Sequence, residues 1–382
     1  MAIRYHQMGL EGEAATVLTH APAHAMISLW HAFILRNSDS DKAASQLDKA
    51  LAQSPKLIFP FREESIAVLE WAVSLRPDAW QPKYYLGALL AAKGRIEQAL
   101  SLLDSCRKPD YAPFYLTRAQ LRSHGAAELV LADLQQALLI DQNSWRSWHF
   151  LIDHYKSQQN SEMALKLAQE ASKKFPQQIV LTMDYAGALF NSGEYQACLR
   201  VLQKARVLPY EGSWEAHDLY LRTNVYLALQ MIAKNRWQEA VTYLEQSKAY
   251  PEHLGSGEPY APDFRLQNYL ASLCFTKMGR KNWAQESLKA VREYTSTHGT
   301  MWGSSDYFGI RTLQEYGEQK LASKLVQQLS ERNRDDVAAH WTVAQLTGDR
   351  SQIQRLESAH QYNARLAMLR DVVRVCHQLA GK

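Results

Sequence analysis

The side chains of this 382-residue sequence able to ligate metals or move protons include 13 histidines, 39 acidic residues and four cysteines. Their spacing assembles none of the usual reactive sets. His20 and His24 are four apart, the interval that places two ligands on one helix face, but Pro22 lies between them and makes the stretch a turn. His149 and His154 are five apart and fall on different sides of a helix. The densest polar group is His253 with Glu252, Glu258 and Asp263, a pattern common on surface loops. Acid–base hydrolysis needs carboxylates facing each other across a pocket. The adjacent Glu63 and Glu64 cannot do that, and they fit better at the positive end of the helix they open. Asp306-Tyr307 has no general-acid partner in its glycine-containing insert. There is no GxSxG, HExxH, P-loop or dinucleotide-binding glycine motif. No catalytic residue, metal ligand or cofactor site is expected. A self-contained enzyme would require loops converging on one deep polar pocket, which nothing in the spacing foretells.

The cysteines, Cys106, Cys198, Cys274 and Cys376, are far apart and form no CxxC. Cys106 and Cys198 fall on inner helical faces and read as small buried apolar residues, which leans towards a reducing, cytoplasmic setting. With 43 basic against 39 acidic residues the net charge is +4. No segment concentrates the basic residues as a nucleic-acid binder would. Arg332-Asn333-Arg334 runs at once into Asp335-Asp336 and reads as a solvated turn. No apolar run approaches the length of a membrane span. The start, MAIRYHQMGLEGEAATVL, lacks the apolar core of a signal peptide and enters a helix pair directly, as an excised piece of a longer protein would.

The elements that position these residues are helical. Apolar residues recur at three- and four-residue spacing, as at Leu29, Trp30, Phe33 and Ile34 and then Ala43, Leu47, Ala50 and Leu51. The clearest two-helix unit begins at Trp80, with Leu86-Gly87 in its first helix and Ala99, Leu103 and Cys106 in its second. Cys106, Ala137, Ala171 and Ala205 hold matching places in successive second helices, at separations of 31, 34 and 34 residues. Such a repeat means hairpins stacking at nearly constant geometry. The expected fold is all-α, a right-handed superhelical solenoid of stacked antiparallel helix pairs. It divides into an array over 1–250, an irregular loop over 251–263 and divergent repeats with a terminal helical cap over 264–382. Two further breaks interrupt it. PKLIFPFR at 55–62 carries a proline whose ring disfavours helix at Phe59, and the helix resumes at Glu63. THGTMWGSSDYFG at 297–309 is an irregular insert.

The Leu86-Gly87…Leu90…Ala99…Leu103…Cys106 frame resembles the tetratricopeptide repeat family, over most of 3–294 and loosely beyond. IFPFREESIAVLEWA, KYYLG and PEHLGSGEP also resemble the C-terminal repeat region of a large uncharacterised bacterial family. There, helical repeats follow an N-terminal β-rich domain thought to act on or bind carbohydrate. These resemblances imply two functions. One is a non-catalytic scaffold holding a peptide or protein domain in its groove. The other is an accessory module that positions or oligomerises an absent β-rich domain of the same parent chain. First helices line the concave face of such a stack. Repeat phase places Lys83, Arg118, Asn224 and Arg265 there as polar contacts, fitting an acidic or amphipathic peptide. Phe59, Phe61 and Arg62 form either an aromatic binding corner or a loop folded back on the helix ends. Most of the ten tryptophans read as core, with Trp302 and Trp214 the best candidates for ligand-facing rings. A terminal hairpin without a capping neighbour leaves room for a homo-oligomer.

Overall fold

A computed structural model describes residues 1–122, 125–210, 214–301, 305–332, 335–360 and 363–379. Among these residues there is no strand. The chain gathers into two compact units, Met1–Leu167 and Ala168–Lys382. The expected boundary at 250 is not where the contacts divide.

The first unit holds the hairpins α1 (Ala2–Gln7)–α2 (Glu11–Thr19) and α3 (Ala25–Leu35)–α4 (Ser40–Leu51). A helix without a hairpin partner follows, α5 (Ser65–Leu75). Then come α6 (Trp80–Ala92)–α7 (Ile96–Asp104), α8 (Ala112–Leu121)–α9 (Ala127–Ile140), and α10 (Trp145–Ser157), after which α11 (Ser161–Lys174) contains the division point. The second unit holds α12 (Ile179–Asn191)–α13 (Tyr195–Lys204), α14 (Glu215–Ala233)–α15 (Trp237–Gln246) and α16 (Arg265–Lys277)–α17 (Lys281–His298). It closes with α18 (Asp306–Glu315)–α19 (Gln319–Ser330), α20 (Val337–Thr347)–α21 (Arg350–Ala359) and α22 (Ala364–Leu379). The stretch 251–263 is irregular apart from one 3-10 turn, Glu252–Leu254.

Local chemistry explains the hairpins. Several of the reversals between helices use a residue in the left-handed region. Gly94 supplies it between α6 and α7 at φ +77°. Gln159 and Asn235 adopt it at 57° and 56° in the equivalent turns before α11 and α15. Within a hairpin the helices meet on small residues. A Cβ on Gly87 would lie 3.1 Å from Leu103 Cδ2 and 3.5 Å from the Ala99 carbonyl, and both partners are fully buried. Ala137 and Ala171 are likewise closed off, as the repeat spacing foretells. Cys106 lies beyond the end of α7 and is only partly buried.

Two elements depart from regular alternation. Where a first helix would precede α5, residues 52–64 are non-helical, with Pro55 and Pro60 removing donors and Leu57 at φ 62°. The helix starts at Ser65 rather than Glu63. The terminal helical segment expected at the end of 264–382 is two helices, α21 and α22. The second does not simply cap the end of the stack: it folds back against α14, α16 and α20. The reason is an apolar stripe, Leu366, Met368, Leu369, Val372, Val373 and Cys376, every member of which is buried.

Gly87→Leu should overfill the α6–α7 contact and cost about 2 kcal/mol. Gly187→Ala, in α12 where an added Cβ meets nothing within 4 Å, should stabilise by about 0.5–1 kcal/mol. Urea denaturation followed by circular dichroism reads both, and equal effects of one sign would show that the helix approach is not size-limited.

Candidate interaction surfaces

In the first unit, Pro55–Arg62 forms a corner pinned at its start by an aromatic nest. Trp80 and Tyr111 stack at 5.8 Å between centroids, Tyr84 and Phe114 pack edgewise or tilted around them, and the Tyr111 hydroxyl donates to the Pro55 carbonyl at 3.3 Å. Ile58 alone turns inward within 57–59, while Leu57, Phe59 and Phe61 are 79%, 75% and 73% exposed. The Arg62 guanidinium lies 5.1 Å over the Phe61 ring and makes no ion pair among the described residues. The corner borders a cavity of about 460 Å³ whose other walls include Ile3, Leu18, Met26 and Trp30. The lining is almost wholly apolar. Trp30 itself is held by its indole N–H donating to Ser65 Oγ at 3.2 Å.

Lys83 and Arg118 are engaged in holding helices together. Lys83 Nζ donates to the Ser105 carbonyl at the end of α7, at 3.5 Å. Arg118 donates to both oxygens of Asp133, at 2.6 and 3.0 Å, and to the Leu103 carbonyl at 3.2 Å. Arg122 adds a second cation to the same carboxylate at 2.8 Å. Asp133 is buried, so the bidentate pair replaces the water that its charge has lost.

In the second unit, burial overturns two expected surface contacts. Asn224 has no exposure, and its side-chain amide donates to the Tyr220 carbonyl one turn back. Arg265 is 1% exposed. It donates to Asp263 at 2.7 and 2.9 Å, to Asp306 at 2.8 Å and to the Gly299 carbonyl at 3.2 Å. The second Asp306 oxygen lies 3.7 Å from Arg332. Arg265 thus clamps the irregular stretches on either side of α16–α17. A Cβ on Gly309 would come within 2.8 Å of its guanidinium and 2.4 Å of Thr295 Oγ1, so only glycine fits there. Trp214 is half exposed, with the Arg365 guanidinium 5.4 Å over its ring. Trp302 lies outside the described residues. Reading tryptophans as core holds for Trp30, Trp148 and Trp341 but misses Trp283, which is 58% exposed and carries Arg280 at 5.3 Å.

Titratable groups follow burial. Desolvation pushes the thiols of Cys106 and Cys198 up to about 11 and that of Cys274 to about 12, so all three are neutral near pH 7. His20 donates from Nδ1 to the Thr16 carbonyl one turn back, His24 caps α3 by accepting from the Met26 N–H, and His253 donates from Nε2 to the Leu202 carbonyl at 3.2 Å. No group of three metal-ligating side chains forms among the described residues. Nor is any helix there long and apolar enough to cross a membrane.

No family model matches the chain, and no curated protein matches it. Among solved structures it is similar to a tetratricopeptide repeat protein from Parabacteroides merdae, at 14% identity over 72% of this chain and 96% of that one, with a TM-score of 0.34. It is also similar to the C-terminal part of a TPR repeat-containing protein from Cytophaga hutchinsonii, at 13% identity, 66% and 94% coverage and a TM-score of 0.42. A thermophilic TPR protein from Thermus thermophilus is 21% identical, with 50% and 95% coverage and a TM-score of 0.31. The helix pairs themselves, rather than these distant likenesses, define the class: a tetratricopeptide-like array of stacked antiparallel hairpins.

Arg265→Met should destabilise the second unit by about 3–5 kcal/mol, because it strands buried carboxylates, whereas Arg62→Met at the exposed corner should stay within about 0.5 kcal/mol. Chemical denaturation reads the contrast. His217 adds a pH dependence. It stacks on Tyr250 at 3.9 Å, and burial holds its pKa below the usual 6.5 despite a bond to the Ala249 carbonyl. The unfolded chain therefore takes up a proton more readily than the folded one. The contribution is complete above pH 6.5 and drains as pH falls through and below it. Calorimetry should show a lower Tm at about pH 5.5 than at about pH 7.5, with the gap narrowed in His217→Gln. An unchanged gap would assign the acid sensitivity to other groups.

Proposed function

We propose that this chain is a non-catalytic protein-interaction scaffold, docking a peptide or protein domain. The observation that carries this reading is the corner at 57–62. Three large apolar side chains stand out from a proline-bracketed, hydrogen-bonded segment beside an apolar cavity. A rigid aromatic surface gives up little conformational freedom on binding, and desolvating two phenyl rings supplies the type of anchor that dominates interfaces. Arg62 at the rim favours a partner with an acidic group next to its apolar residues. Trp214 is a second candidate contact, in the other unit.

A second reading makes the same corner the seat of a β-rich domain of a longer, carbohydrate-active parent chain. Met1 and Ala2 line this cavity, so residues preceding Met1 in such a parent would emerge beside Phe59 and Phe61.

Peptides selected from a display library against the whole chain test the docking site. Phe59→Ala/Phe61→Ala should weaken the selected binders about 30-fold, equivalent to about 2 kcal/mol, with the circular dichroism spectrum unchanged. Binders that hold the double variant as tightly as the parent would remove the corner from the interface. A photocrosslinker at position 61 in a longer natural chain separates the two readings: crosslinks within that chain favour the second, and crosslinks to a separate protein the first.

A further inference from the structure

The first-helix face from α14 to α20 is already filled, and its occupant is the chain's own α22. This helix packs on α14, α16 and α20, each the first member of its hairpin. The remaining first helix between them, α18, reaches it through Tyr307, whose hydroxyl lies 3.2 Å from His377 Nε2. On α14, the Tyr226 hydroxyl donates to Asp371 Oδ2 at 3.0 Å. Between these polar anchors, Leu366, Leu369, Val373 and Cys376, with Met368 and Val372 beside them, enter the core formed by Val225, Leu229, Leu266, Leu270 and Tyr307. The opposite side is polar and open, with Arg365, Arg374 and Gln378 exposed. In spacing and in contact, α22 is an amphipathic helix seated in a groove.

Its attachment is that of a separate piece. The preceding α21 buries none of its residues. α22 begins anew with its own cap, Asn363 accepting from the Leu366 N–H at 3.0 Å. Among the described residues its start is tied back to α21 by the Asn363 N–H donating to the His360 carbonyl at 2.9 Å.

We propose that the first-helix face from α14 to α20 is a receptor for an amphipathic helix, that α22 is its resident occupant, and that a partner helix of like pattern binds there by exchanging with it. The partner is defined by this groove. It carries apolar side chains at the spacing of residues 366, 369, 373 and 376, an acid in the place of Asp371 to accept from Tyr226, and a hydrogen-bonding side chain in the place of His377 to meet Tyr307. The inference deepens the scaffold reading for the second unit and does not depend on the corner at 57–62.

The test uses the whole chain with a protease site inserted between His360 and Asn363, and a fluorescent synthetic peptide of residues 363–379 as probe. Before cleavage the peptide should not bind. After cleavage it should enter the groove, raising its anisotropy, while the unlabelled C-terminal fragment, which ends at Lys382, appears in the ultrafiltrate. Tyr226→Phe/Tyr307→Phe should speed that exchange about tenfold, the loss of two hydrogen bonds. Leu369→Asp in the uncut chain should open the groove to the peptide with the remaining helices intact. The proposal is overturned if the cleaved segment stays bound without exchanging. It is equally overturned if cleavage or Leu369→Asp unfolds α14–α20, because α22 is then a permanent part of the core. Peptide binding at the corner of the first unit, measured on the same cleaved protein, reports the scaffold reading separately.

Discussion

A helical hairpin has two apolar faces and can close only one of them by itself. Everything else in this protein follows from how the second face is covered. Ala99 and Leu103 bury the inner face of α7 against Gly87, and the remaining apolar surface is met by the next hairpin. Burial is therefore distributed along each unit, with separate clusters at the two ends of the first and a larger one in the second. Irregular segments occur where the neighbour is supplied differently. At 52–64 the chain runs as a non-helical, proline-bearing stretch with turns, and the Phe59 and Phe61 rings stand in solvent.

Charge is handled by the same constraint. Close packing leaves little water between helices, so charged groups caught there must find opposite charges within reach. Asp133 is met by Arg118 and Arg122, and Arg265 by Asp263 and Asp306. These clusters resemble active sites in composition, yet their hydrogen bonds run to structural neighbours, and the second Asp306 oxygen is left with only the Arg332 charge at 3.7 Å. The groups left facing outward at the corner are apolar side chains with the Arg62 guanidinium beside the Phe61 ring.

How much of this was legible in the sequence depended on range. Helix periodicity and the 34-residue spacing reported the hairpins, because both are local consequences of 3.6 residues per turn. Prolines 55 and 60 reported the break before α5 for the same reason. Repeat phase gave no guide to the burial of Arg265, since one of the two carboxylates that compensate it, Asp306, lies 41 residues away. Asn224 misled in another way: an amide on a helix can satisfy its own donor at the carbonyl one turn back, so polarity alone does not imply exposure. The apolar stripe of α22 was visible, but a stripe names a face and not the surface that covers it. The corner at 57–62 was legible as unusual, although its exposure was not.

The bond from Tyr226 to Asp371 joins residues 145 apart in a fold whose other contacts are mostly between consecutive helices. During synthesis, α14 and α16 leave the ribosome well before α22 exists. Their apolar first-helix face then waits, at chain-elongation speeds of about 5–20 residues per second, for roughly 5–30 seconds. Nearest-neighbour stacking lets the early hairpins form as they emerge, while the last helix arrives as a latecomer to a surface already built. Whatever reaches that surface during the interval, a chaperone or an assembling partner, meets it vacant.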